Sequence, residues 1–162
     1  MTPRAIVVGI AAFTLAACGG AAAATTDASE TTVEQYASLI AGHDGQWRES
    51  VTTTDDACAD SNAPDKCAAA YRTGSELAEA LRNALSAARN DGEFPVEIAA
   101  LVADTEAAAA DYSAAYEAWE ATSCANPLDW HCGADEAFAM FKAQGDLTRQ
   151  LDAWAARRLT GL

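Results

Sequence analysis

The chain has 162 residues and a formal charge of −14 at pH 7, and 51% of its residues are hydrophobic. A surface of that sign repels phosphate backbones and anionic lipid headgroups, which excludes nucleic acid as a partner class. Alanine carries much of the hydrophobic content, and the prolines and most glycines fall where a helix would begin or end, so the composition is that of an all-α domain. The arginines outnumber Lys66 and Lys142, the only lysines, but form no patch and carry no functional signal.

At the N-terminus, Thr2, Pro3 and Arg4 form a short positive leader, and Ala5 to Ala17 form an apolar run of secretory length, too short to span a bilayer. The run closes on Leu15-Ala16-Ala17-Cys18. These four residues resemble the lipobox of bacterial lipoproteins, a resemblance confined to roughly the first 20 residues. It implies a signal peptide over 1–17, a diacylglycerol on the Cys18 thiol and cleavage just before Cys18. Two acyl chains anchor firmly, so the implied location is the outer face of the bacterial cell membrane, with the membrane as partner through that lipid. Loss of Arg4 with the leader deepens the charge from −14 by one, to −15. Residues 18–29 then read as the lipidated cysteine and a small, polar, aperiodic tether with a reach of roughly 20 Å. Residues 30–162 are left as one domain.

Four helices are predicted in that domain. The first starts at Thr31, with Glu34 completing a capping box, and its stripe is Val33, Tyr36, Ile40, His43, Trp47 and Val51, ending near Thr53. Ser61-Asn62-Ala63-Pro64 is turn chemistry with proline at a first helical position. The second helix follows with Tyr71, Ala78, Leu81, Leu85 and Ala88 on one face, and Asn90-Asp91-Gly92 stops it. Pro95 opens the third, whose stripe Ile98, Leu101, Thr105, Ala108, Tyr112, Ala115, Trp119 is the most regular in the chain. Asn126-Pro127 begins the last segment, with Gly133 a candidate interruption; its stripe is Phe138, Phe141, Leu147, Leu151 and Trp154, and Arg157 and Arg158 suit its C-terminus.

Short connections make consecutive helices antiparallel neighbours, so the expected fold is an up-down-up-down four-helix bundle. Three helices with a loose N-terminal arm is the second arrangement. In the four-helix form the first helix rises from the anchor, and the first and third connections share the end away from the membrane. Cys58 and Cys67 bracket one of these connections, and Cys124 and Cys132 bracket the other. Four thiols in an exported chain read as disulfides; three connectivities exist, and the favoured one pairs 58 with 67 and 124 with 132. The rival, a metal site from Cys124, His131 and Cys132, has a spacing that matches no zinc pattern. Asp55, Asp56, Asp60, Ser61, Asn62 and Asp65 place hard oxygens in the first connection, but without the glycine and closing glutamate of a calcium loop, so capping and solvation explain them better.

Motif chemistry is sparse. The chain has no nucleophile elbow, phosphate-cradling glycine loop, HExxH, or paired Glu-x-x-His motifs, and no cofactor is implied. His43 lies on an apolar stripe beside Asp44, where a hydrogen-bonded core histidine is the plain reading and a metal ligand or general base the sharper one. Trp47, Tyr71, Tyr116, Trp119, Trp130 and Phe138 all count to within roughly two turns of the end away from the membrane. They read as a core plug or, functionally, as an aromatic-lined pocket or anchor patch, with His43 and His131 as further candidate binding residues. Gly42, Gly45, Gly74, Ala107 to Ala110 and Gly145 count to one mid-bundle level, implying close packing or a cavity.

The functional expectation is therefore a membrane-anchored extracytoplasmic binding module for another envelope protein or a small molecule. Its alternatives are a lipoprotein enzyme or metal carrier using His43 and Asp44, or a structural spacer.

Overall fold

The structure, a computed structural model, describes residues 28–59, 63–90, 94–124 and 132–160. Signal peptide, lipobox and Cys18 therefore lie outside the described residues, as do most of the tether, Asp60, Ser61, Asn62, Trp130 and His131. Four helices follow one another: α1 (Ala28–Ala59), α2 (Pro64–Asn90), α3 (Val96–Ala121) and α4 (Ala134–Thr160). Sequential helices pack as antiparallel neighbours, and α4 closes the ring against α1 as the loosest of the four pairings. This is the expected four-helix bundle.

The helix starts follow local chemistry. Pro64 opens α2 with Asp65 in its first turn, and the Ala63 carbonyl accepts the Lys66 and Cys67 amides at 3.0 and 3.4 Å. Pro95 precedes α3 in an extended conformation, and its carbonyl accepts the Ile98 amide at 3.0 Å. Asn126 and Pro127 lie outside the described residues; α4 is described from Ala134, directly after Gly133, whose φ of +64° is the left-handed conformation that suits glycine.

Helix α1 begins three residues before Thr31 and runs six residues past Thr53. The β-branched Thr52-Thr53-Thr54 and the two aspartates look like a stop, but the Thr54 side chain is buried and its hydroxyl donates to the Ser50 carbonyl at 2.8 Å. The core-facing row thus continues from Trp47 through Ser50 and Thr54 to Cys58. Asp55 and Asp56 consequently sit on helix rather than in a connection.

The bundle interior is built from Tyr36, Ile40 and Trp47 of α1, Tyr71, Leu81 and Leu85 of α2, Ile98, Val102 and Tyr112 of α3, and Met140, Leu147, Leu151 and Trp154 of α4. Hydrogen bonds fix its aromatic rings. Trp154 Nε1 donates to Thr105 Oγ1 at 3.0 Å, Trp47 Nε1 to Thr148 Oγ1 at 2.9 Å, and the Tyr36 hydroxyl to the Ala88 carbonyl at 3.0 Å. Each bond ties two helices through a buried or half-buried donor that would otherwise lose its partner water.

The predicted α4 stripe is corrected at its N-terminal half. Phe138 is 70% and Phe141 42% exposed, while Ala137, Met140 and Ala143 face the interior. A row of 137, 140, 147, 151 and 154 keeps helical spacing, whereas 141 to 147 is a step of six, which no single helix face permits.

The mid-bundle level of small residues is corrected as well. A Cβ built on Gly42 or Gly45 meets nothing within 4 Å, and one on Gly145 only its own helix's Arg149 at 4.0 Å. Ala107 is exposed, although Ala108 and Ala109 are buried. Only Gly74 packs closely: a Cβ there would lie 2.6 Å from the Tyr112 hydroxyl oxygen and 3.2 Å from its ring. The glycines therefore wall no shared cavity, and the space beside the one that faces inward is filled by Tyr112. The expected effects have opposite signs. Gly42→Ala, Gly45→Ala and Gly145→Ala each stabilise by up to about 1 kcal/mol, the helix preference of alanine. Gly74→Ala destabilises by about 1 to 3 kcal/mol through overpacking against a buried ring. Urea unfolding of the four single variants checks the contrast.

Candidate functional site

Both expected disulfides are present and local. Cys58 pairs with Cys67 at a Cα separation of 4.6 Å, and Cys124 with Cys132 at 5.8 Å. Each joins the C-terminus of one helix to the N-terminal region of the next, so both lie at the same end of the bundle. At that end α3 closes with the Thr122 hydroxyl donating to the Trp119 carbonyl at 2.6 Å and Ser123 at φ +59°. The Cys124 amide then donates back to Thr122 Oγ1 at 3.3 Å. Gly133 fits tightly here, since a Cβ would lie 3.0 Å from Thr122 Oγ1 and 3.1 Å from Cys124 Sγ.

The described aromatic residues of the expected plug, Phe138 apart, belong to one core cluster. Trp47, Tyr71, Tyr116 and Trp119 are all buried, as a core plug requires. Trp47 does not belong to the disulfide end, because α1 continues for 12 residues beyond it, roughly 18 Å at helical rise. It packs edge-on to Tyr112 at 5.1 Å in the middle of the bundle. Tyr116 and Trp119 pair at 6.0 Å on α3, and Tyr71 meets Phe141 edge-on at 5.6 Å. The Tyr71–Phe141 contact links the core to the surface: Tyr71 is 1% exposed and Phe141 42%. Phe138, one helical turn before Phe141, stands further out. Phe141, placed on the core stripe by its size, is the missed member of the site. The signal was available in the spacing, since Ala137 and Met140 complete the inward row without it.

Acidic residues share this end of the bundle. Asp55 and Asp56 on the last turns of α1 are exposed, as is Asp135 one turn before Phe138. Burial pushes the Tyr71 phenol well above its ordinary value, and the nearby negative charge of Asp55 adds to the effect. Among the described residues no three His, Cys, Asp or Glu side chains converge as a metal set. Asp65 lies in the first turn of α2, where a negative charge suits the helix N-terminus.

His43 sits elsewhere, half-buried in the middle of α1. Its Nδ1 is buried without a hydrogen-bond partner among the described residues. The neighbouring Asp44 turns to other groups: Arg48 Nε at 2.8 Å and Arg158 Nη2 at 3.9 Å. Arg48 also reaches Asp152 at 2.6 Å, so this cluster fastens α1 to α4. Burial lowers the His43 pKa below 6.5. The folded state therefore resists protonation more than the unfolded chain does, and stability falls as pH drops below about 6.5. His43→Gln is expected to flatten that part of the profile of melting temperature against pH, measured from pH 7.5 to 5.

A shallow groove of about 260 Å³ runs between α1 and α2, with Gln46, Ser50, Thr53, Ala70, Thr73 and Leu77 among its lining residues. It includes none of the aromatic residues singled out from the sequence. Among the described residues no helix is long and apolar enough to cross a membrane. No protein-family model matches the chain, and no curated protein or solved structure matches it either.

Proposed function

We propose that the protein is a lipid-anchored extracytoplasmic interaction module that presents the disulfide-closed end of its bundle to another envelope protein. The observation that carries this reading is the outward position of Phe138 and Phe141 in the first two turns of α4, at the end of the bundle that the two disulfides close. A single exposed apolar side chain is ordinary on any protein surface. Two phenylalanines one turn apart are different here, because one of them packs edge-on against a buried tyrosine and the helix ends at this end of the bundle are cross-linked. Such rings are pre-ordered anchors that lose little freedom on binding. The lipobox resemblance at Cys18 supports the anchored location, and the antiparallel order of the helices turns both disulfides away from the point where the tether enters.

The enzyme or metal-carrier alternative is less well supported, because Asp44 is engaged by Arg48 and Arg158. No hydrogen bond joins it to His43 in the described residues.

The test separates binding from packing. Phe138→Ala combined with Phe141→Ala is expected to cost no more than about 1.5 kcal/mol, chiefly from the Tyr71–Phe141 ring pair, while cross-linking to a partner in intact cells is lost. A melting temperature lowered by more than 10 °C with unchanged cross-linking would assign both rings to stability instead.

A further inference from the structure

We propose that the Phe138–Phe141 surface docks a basic amphipathic helix of a partner protein, with the two rings as its apolar floor and Asp55, Asp56 and Asp135 as its acidic rim. This rests on the reading of the disulfide end as the binding surface and adds the chemistry of what binds there. Tyr71 brings the two sides of the surface together: the Phe141 ring lies 5.6 Å from its own, and the Cys58–Cys67 bridge holds the turn of α1 that carries Asp55 against the turn of α2 that precedes Tyr71. Asp135 stands one turn before Phe138 on α4, and all three aspartates are exposed.

Lys66, exposed in the first turn of α2, shares this end with four exposed aspartates, Asp55, Asp56, Asp65 and Asp135, and most other cations are engaged by carboxylates of their own. Arg48 and Arg158 meet Asp44, Arg48 also meets Asp152, Arg72 meets Glu120, Arg89 meets Glu106, and Lys142 and Arg149 meet Asp146. Among the described residues no ion pair engages Asp55, Asp56 or Asp135. Lys142, one turn beyond Phe138, is the nearest cation along α4, and its ammonium lies 3.0 Å from Asp146. The rim is therefore left negative on a chain already at −14. Such a field draws in a cationic partner and repels anionic lipid and a second copy of the chain alike.

Helical form follows from what the surface offers. The described residues contain no strand whose edge could pair with an extended peptide, and a helix satisfies its own backbone. Phe138 and Phe141 stand in an i, i+3 row on α4, the kind of ridge against which a second helix lays its apolar stripe.

The experiment uses the full chain in mild detergent and three 18-residue helical peptides. Each has a leucine stripe carrying one photoreactive leucine, and the polar face is lysine, glutamine or glutamate. Cross-link yield counts only peptide on the protein, not peptide in micelles. The lysine peptide is expected to label the wild type, with half-saturation raised at least about tenfold by Phe138→Ala with Phe141→Ala, as for two anchor side chains. Asp55→Asn with Asp135→Asn is expected to raise it about threefold and to reduce its dependence on salt. If the glutamine or glutamate peptide labels as well and is lost in the phenylalanine variant, the surface stands and the basic partner is overturned. If the lysine peptide labels wild type and phenylalanine variant equally, the attraction is diffuse, and both the inference and the reading it rests on are overturned. No labelling by any peptide overturns the helix alone when position 138 still cross-links in cells. Concentration-dependent self-association that disappears in the phenylalanine variant makes a second copy the occupant and also overturns the inference.

Discussion

Trp154→Ala is expected to lower the unfolding free energy by about 3 to 5 kcal/mol, the range for emptying a large aromatic site in a core. Trp154 is 1% exposed and its indole donates to Thr105 Oγ1 at 3.0 Å, joining α4 to α3 across the interior. The Thr105 hydroxyl itself donates to the Leu101 carbonyl at 2.7 Å. Removal of the indole therefore leaves Thr105 satisfied, and the loss comes from the cavity rather than from an orphaned polar group. Trp154→Phe separates the two contributions, keeping most of the volume and losing only the hydrogen bond, at a cost of about 1 to 2 kcal/mol. Melting temperatures should fall by about 10 to 20 °C for alanine and by a few degrees for phenylalanine. Equal losses for the two variants would mean that the bond, not the ring, holds α3 to α4.

Replacing all four paired cysteines with serine should be the other large change. Each bridge closes a loop of eight or nine residues, and the chain-entropy relation assigns about 2.5 kcal/mol to a loop of that length. The bridges join different helix pairs, so their contributions should add to about 5 kcal/mol. That is comparable to the whole stability of many single domains. Cys67 and Cys124 are buried while Cys58 and Cys132 are half-buried, so serine also places new hydroxyls where sulfur packed. Denaturant titration with and without reductant checks this: reduced wild type and the serine variant should coincide, both well below the oxidised protein.

Much of this fold is legible in the sequence. Pro64 and Pro95 announced helix starts because proline lacks an amide that the first turn does not use. The cysteines announced their own pairing by bracketing the two connections at one end. The third helix was nearly complete in the spacing of Ile98, Thr105, Ala108, Tyr112 and Trp119. What failed has a common physical source in the alanine content. Where helices approach closely, Ala137 and Ala143 are the core residues of α4, but alanine is too common on every face to mark one. Phe138 and Phe141 drew the stripe toward themselves simply by being large. The same ambiguity made the glycines of three helices look like a shared waist, although only Gly74 faces a neighbour. The end of α1 was misplaced for a different reason. A threonine hydroxyl can turn back onto its own helix, as Thr54 does to Ser50, and the usual stop signal then has no force. The candidate site was half visible: the disulfide end and its aromatics were indicated, but which rings point outward depended on packing that spacing alone leaves open.

A photoreactive residue placed in turn at positions 138, 141, 79 and 103 of the full chain, activated in intact cells, tests the proposed surface most directly. Phe138 and Phe141 are the outward rings of the disulfide end, while Glu79 and Ala103 are also exposed, on α2 and α3. The expected result is one discrete protein adduct from 138 and 141 and none from 79 or 103. The same adducts from all four positions, or adducts from 79 and 103 alone, would contradict the assignment of this end of the bundle as the binding surface.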